Sequence, residues 1–129
     1  LTVNGVPGVG TFTVTNFDNV KGTSQNDIII GDAQNNQLFG NAGNDTLTGG
    51  LGADTFVFNS QFQGIDIIKD FQWTQSDKIQ VSQSGFGATS LSQFNYNSFN
   101  GNLSFLGNTF ATIENKPLGF VVSLDVVLV

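Results

Sequence analysis

Residues 22–57 divide without a gap into four nine-residue units, and this period constrains the fold more than any other feature of the chain. The units are GTSQNDIII from Gly22, GDAQNNQLF from Gly31, GNAGNDTLT from Gly40 and GGLGADTFV from Gly49. Glycine fills the first slot each time. The sixth slot holds Asp27, Asn36, Asp45 and Asp54, and the eighth holds Ile29, Leu38, Leu47 and Phe56. A Gly-rich stretch ending in Asp or Asn turns the chain, because these residues tolerate positive φ best. The next three residues are β-formers with one apolar side chain directed inward. Turn and strand alternate, so two units close one coil of a flattened parallel β-helix. Loops 22–27 and 40–45 then stack on one edge, and loops 31–36 and 49–54 on the other.

The flanks read differently. Residues 1–21 are Val- and Thr-rich with a Pro7-Gly8 turn, giving short strands and, over Thr13–Lys21, a degenerate coil with Asp18 and Val20 in the sixth and eighth slots. Residues 58–129 return to ordinary strands: Ile65–Lys69, Lys78–Ser82, Leu103–Leu106, Thr109–Ile113 and Phe120–Val129, continuing from Thr55–Phe58. Gly107-Asn108 marks a hairpin. Most of the 13 Phe residues and the one Trp fall here, enough for a sandwich-like core that caps the repeats. No amphipathic helix is evident. The expected organisation is therefore all-β: 1–21, a repeat region 22–57, and a C-terminal β cap 58–129.

Composition excludes several functions. Ten acidic residues against four lysines leave a net charge of −6, without the clustered cations that nucleic acid requires. With no His and no Cys there is no histidine base, thiol chemistry or disulfide framework, and a nucleophilic enzyme site is not expected. No run is long and apolar enough for a membrane helix. Leu1–Gly10 lacks the basic and apolar regions of a signal peptide, and the chain opens without Met, which reads as a piece of a longer protein.

Oxygen-rich loops at fixed spacing favour a hard cation. Calcium accepts six to eight oxygen ligands, carboxylate and carbonyl alike, whereas magnesium demands near-ideal octahedral geometry. The absence of nitrogen and sulfur ligands disfavours a transition metal. These units resemble the GGxGxD repeats of the repeats-in-toxin (RTX), or haemolysin-type calcium-binding, proteins. The run GADTFVF, followed by Ile65–Phe71 and Asp77-Lys78-Ile79, is similar to the segment that ends such rolls in serralysin-type proteases and other secreted bacterial proteins.

The resemblance spans roughly residues 17–129. It implies a right-handed parallel β-roll with Ca2+ between stacked loops, type I export and folding in calcium-rich surroundings, so an extracellular or cell-surface location. It also implies the ligands. Asp27 and Asp45 would form one site with carbonyls near Gly22, Ser24, Asn41 and Gly43. Asn36 and Asp54 would form a second with carbonyls near Gly31, Ala33, Gly50 and Gly52. Asp70 and Asp77 would form a terminal site, helped by Asp66. Departures from the pattern are Thr23 and Asp32 in the second slot, Gln25 and Gln34 in the fourth, and Asn36 in the sixth. The second site, one anion short, is expected to be the weaker.

The tail Leu124-Asp125-Val126-Val127-Leu128-Val129 resembles the uncleaved secretion signals of this family, and reads equally as a last strand. Calcium ions and the type I secretion apparatus are the expected partners. The alternative function is a carbohydrate- or surface-binding module, as in alginate epimerases with similar repeats. Its candidate contacts are Trp73, Tyr96, Lys69 and Lys78.

Overall fold

The computed structural model describes residues 10–13 and 19–129. The remainder of the expected N-terminal segment, Asp18 included, lies outside these residues. The described part begins with β1 (Gly10–Thr13), β2 (Asn19–Lys21), β3 (Asp27–Ile30), β4 (Gln37–Phe39), β5 (Thr46–Thr48) and β6 (Thr55–Phe58). It continues with β7 (Asp66–Ile68), β8 (Lys78–Val81), β9 (Phe94–Tyr96), β10 (Asn102–Phe105), β11 (Asn108–Ile113) and β12 (Val126–Leu128). Two one-turn helices, α1 (Gln83–Phe86) and α2 (Val122–Asp125), interrupt the late strands.

Strands alternate between two sheets. One runs β1-β3-β5-β7-β11-β10-β9 and the other β12-β8-β6-β4-β2. Neighbours are parallel throughout the second sheet and from β1 to β11 in the first; only β11-β10-β9 is antiparallel. Registers follow the repeat: Ile29 faces Leu47, and Leu38 faces Phe56. Val20 pairs with Leu38 in β2-β4, so the degenerate unit supplies a true rung. Val20, Ile29, Leu38, Leu47 and Phe56 are all wholly buried, as the eighth-slot pattern requires.

The strands expected to make a sandwich-like region instead extend these two sheets. β7 and β8 form another coil, and β11 and β12 the last, with residues 82–107 inserted between β8 and β11 as α1, β9 and β10. Phe86 packs there against Phe94, Phe105 and Phe110, with Phe110 also on Phe58. One apolar core runs from Val20 to Val126.

Two local expectations shift. The hairpin turns on Leu106-Gly107, since Phe105 pairs with Asn108 and both central residues have positive φ, 48° and 87°. That is the sense that matches strand twist. The expected strand Phe120–Val129 is broken by α2, because the Asp125 carboxylate accepts the Val121 N–H at 2.7 Å and turns the chain before β12.

Candidate metal centre

Stacking puts the sixth-slot side chains in two columns. On one edge the Asp27 N–H donates to Asp45 Oδ1 (2.8 Å), and the Asp45 N–H to Asp66 Oδ1 (3.0 Å). On the other, the Asn36 N–H donates to Asp54 Oδ1 (2.9 Å), and the Asp54 N–H to Asp77 Oδ1 (2.9 Å). The pairs expected from the period, Asp27 with Asp45 and Asn36 with Asp54, therefore meet. Among the described residues the buried polar side chains are these six and Asp125. Asp66 is the residue whose place the sequence reading missed. It belongs to the first column, on the edge opposite Asp70 and Asp77, so it is no helper of theirs. The signal was present in Asp66-Ile67-Ile68, which repeats the Asp45-Thr46-Leu47 pattern, but a spacing of 21 residues hid it.

The first-slot glycines serve close approach rather than turning. None of Gly22, Gly31, Gly40 and Gly49 has positive φ. A Cβ on Gly22 would lie 2.7 Å from Asp27 Oδ2, and on Gly40 or Gly49 2.4 Å from Oδ2 of Asp45 or Asp54. On Gly31 it would lie 2.4 Å from Asn36 Oδ1 and 2.3 Å from the Gly49 carbonyl. Positive φ belongs to the second and fourth slots of the upper loops: Asn41 (71°), Gly43 (119°), Gly50 (94°) and Gly52 (99°).

Backbone oxygens crowd the same edges. Asn41 Nδ2 donates to the Gly22 carbonyl at 2.8 Å. The Gln25, Asp32 and Gln34 carbonyls lie 2.5, 2.3 and 2.7 Å from where a Cβ would stand on Gly43, Gly50 and Gly52 in the loops above. Ser24 and Ala33 sit exposed at the tips of the lower loops. Asp70 reaches the second edge, where its two oxygens accept the Gly49 and Gly50 N–H groups (2.8 and 2.9 Å), while Asp77 Oδ2 accepts the Gln72 N–H. Asp70 and Asp77 thus stack over loop 49–54.

Electrostatics shows what the stack lacks. Burial pushes the Asp45 carboxyl up to about 6, with the charge of Asp27 adding to the rise and the Asp27 N–H opposing it. Burial likewise pushes Asp54 up to about 6, helped by the charges of Asp77, Asp70 and Asp32. Asp66, more deeply buried, is pushed up to about 8, and Asp77 is also raised by burial. Two carboxylate oxygens, Asp45 Oδ2 and Asp54 Oδ2, are buried with no hydrogen-bond partner, one on each edge. A buried anionic oxygen without a donor is costly. Asp45 Oδ2 and Asp66 Oδ2 both converge on the face of Gly40, 2.4 and 2.9 Å from where its Cβ would stand. Among the described residues no three acidic side chains gather into an all-side-chain cage. A cation here would therefore take paired carboxylates and backbone carbonyls, the donor set calcium favours.

The family model of the RTX calcium-binding nonapeptide repeat matches residues 21–56 in four copies. This chain carries an RTX calcium-binding repeat array. Its cofactor is calcium. Among the 17 solved chains that match is the crystal structure of extracellular lipase LipA from Serratia marcescens, with a TM-score of 0.76 and 25% sequence identity. The match covers 99% of this chain and 21% of that one, so this chain spans about a fifth of the lipase structure. No curated protein matches it at a significant level.

Each contact suggested for carbohydrate has a neighbour within the chain, while Trp73 stays 47% exposed. The Trp73 indole covers Gly119, where a Cβ would stand 2.2 Å from Nε1. Tyr96 lies on Phe120 at 4.5 Å, Lys69 pairs with Glu114 at 3.3 Å, and Lys78 Nζ donates to the Leu124 carbonyl at 2.9 Å. Among the described residues no helix is long and apolar enough to cross a membrane.

Proposed function

We propose that this RTX module holds calcium between stacked loops and couples that binding to the folding of a larger secreted protein. The observation that carries the reading is the orphaned pair Asp45 Oδ2 and Asp54 Oδ2, one at each edge of the stack. On the first edge the ligands are Asp27 and Asp45, extended by Asp66, with carbonyls drawn from Gly22, Ser24, Asn41 and Gly43. On the second they are Asn36 and Asp54, extended by Asp70 and Asp77, with carbonyls from Gly31, Ala33, Gly50 and Gly52. The repeat region 22–57 is the binding part, and residues 58–129 close its C-terminal end with an aromatic core.

The chain's own residues explain the coupling. Asp27, Asp45 and Asp66 come together only when the coils stack, and each closure brings like charges closer. Bound calcium supplies the positive charge that offsets this repulsion, so its binding free energy becomes folding free energy. Two ions take the formal charge from −6 to −2. A chain unfolded in a calcium-poor cytosol suits passage through a type I channel, and calcium outside the cell then drives folding.

The test is a calcium titration of the chelated protein followed by circular dichroism, with magnesium as control. A cooperative gain of β-structure with calcium, and little with magnesium, is expected. Full β-structure in chelator would overturn the coupling. The tail is tested separately. Val127 on β12, which pairs with β8, and Val129 just after it are exposed. Val127→Ser with Val129→Ser keeps that backbone pairing and lowers export from a host with a type I exporter; unchanged export makes the tail a strand alone.

A further inference from the structure

The second edge is not short of charge. In the first half-coil the second-slot Thr23 donates its hydroxyl to Asp27 Oδ2 (2.9 Å) and its N–H to the same oxygen (2.6 Å). The Thr23 hydroxyl oxygen in turn accepts the Gln25 N–H at 3.0 Å. The next half-coil has the same frame with the chemistry exchanged. The Asp32 N–H donates to Asn36 Oδ1 (3.0 Å), Asn36 Nδ2 donates to Asp32 Oδ1 (3.3 Å), and that Oδ1 accepts the Gln34 N–H (2.8 Å). Each half-coil therefore carries one carboxylate and one neutral donor across slots two and six. Only their order differs.

Asp32 also lies under the upper loop. Its carbonyl accepts the Leu51 N–H at 3.2 Å and lies 2.3 Å from where a Cβ would stand on Gly50, and its charge is among those felt by Asp54. Independently of these acids' arrangement, Asp54 is wholly buried and its Oδ2 lacks a donor. That oxygen faces Gly49, whose carbonyl stacks over Gly31 at the start of the Asp32 loop.

We propose that Asp32 supplies the second carboxylate of the calcium site between loops 31–36 and 49–54, replacing the charge that Asn36 lacks. The inference rests on the calcium reading above. It predicts that the two edges match in charge, Asp27 with Asp45 and Asp32 with Asp54, so the second site is not weakened by Asn36.

Isothermal titration of calcium into the whole chain tests it, with Asp32→Asn, Asn36→Asp, the double exchange and Asp54→Asn. Asp32→Asn keeps the size and the acceptor oxygen, and is expected to weaken one class of sites by about tenfold, since ligand charge tunes calcium affinity. The double exchange, which returns the acid to slot six, restores affinity to within about threefold. Asn36→Asp alone changes it little. A wild-type titration for Asp32→Asn overturns the role of Asp32, whatever Asn36→Asp does. The calcium reading then still stands if Asp54→Asn loses a site. If Asp54→Asn also titrates as wild type, the calcium reading of this edge fails with it. An Asp32→Asn protein whose circular dichroism at saturating calcium matches wild type confirms that the loss is of a ligand rather than of the loop.

Discussion

The repeat region and the C-terminal half share two sheets, yet they are built on opposite terms. Between Gly22 and Phe56 each strand contributes one large buried apolar side chain, and the other buried side chains are Asp and Asn. From Phe58 onward the interior is filled by aromatic rings, with Phe86, Phe94, Phe105 and Phe110 in mutual contact. The first arrangement concentrates negative charge where water cannot reach it. The second is packed ring on ring, although Asp66 and Asp77 at its start still belong to the charged columns. β7, β8, β11 and β12 join the two regions through the same sheets.

The sharpest way to break this comparison is to hollow out the aromatic half. Phe110 is buried and lies 4.9 Å from Phe86 and 5.2 Å from Phe58, ring to ring. Phe110→Ala is expected to cost about 3–5 kcal/mol. The loss should be found in calcium by urea unfolding, and in chelator by faster amide exchange across Phe94–Ile113. If it vanishes in chelator, the aromatic half has no stability of its own and the two regions fold as one.

Acid probes the other half. Asp45, Asp54 and Asp66 have carboxyls raised by burial to about 6, 6 and 8 in the folded chain, against 3.8 for the ordinary group. The calcium-free fold then binds more protons than the unfolded chain, so its stability falls as pH rises. That contribution is fully present below about 3.8 and is lost as pH climbs through about 6 and then about 8. Chelated protein should accordingly show more amide protection in Thr46–Thr48 at pH 5 than at pH 8. Calcium binding near neutral pH should release protons, measurable as a buffer-dependent binding enthalpy. Equal protection at the two pH values would mean that these carboxylates do not oppose folding.

The smallest expected effect calibrates the others. Gly87 ends α1 with φ of 70°, and nothing lies near the position of an added Cβ. Gly87→Ala should cost only the left-handed backbone term, about 1–2 kcal/mol, with calcium affinity unchanged. A change in affinity there would show that the two regions communicate more closely than their chemistry suggests.

What the sequence by itself determined was everything that repeats. A period of nine places turn, strand and inward residue by local backbone preference, so Ile29, Leu38, Leu47 and Phe56, and the pairings Asp27–Asp45 and Asn36–Asp54, were legible before any coordinates. Tertiary structure decided what the period does not reach. Asp66 and Asp77 enter the columns at spacings of 21 and 23 residues, because strand pairing, not spacing, sets their height in the stack. The late strands joined the roll rather than forming a separate sandwich because β7 and β8 still offered unpaired edges beside a shared apolar core. The exchange of acid and donor between Thr23–Asp27 and Asp32–Asn36 stayed hidden for a related reason. Each slot read alone looks like a departure, and only the folded loop shows that the two departures compensate.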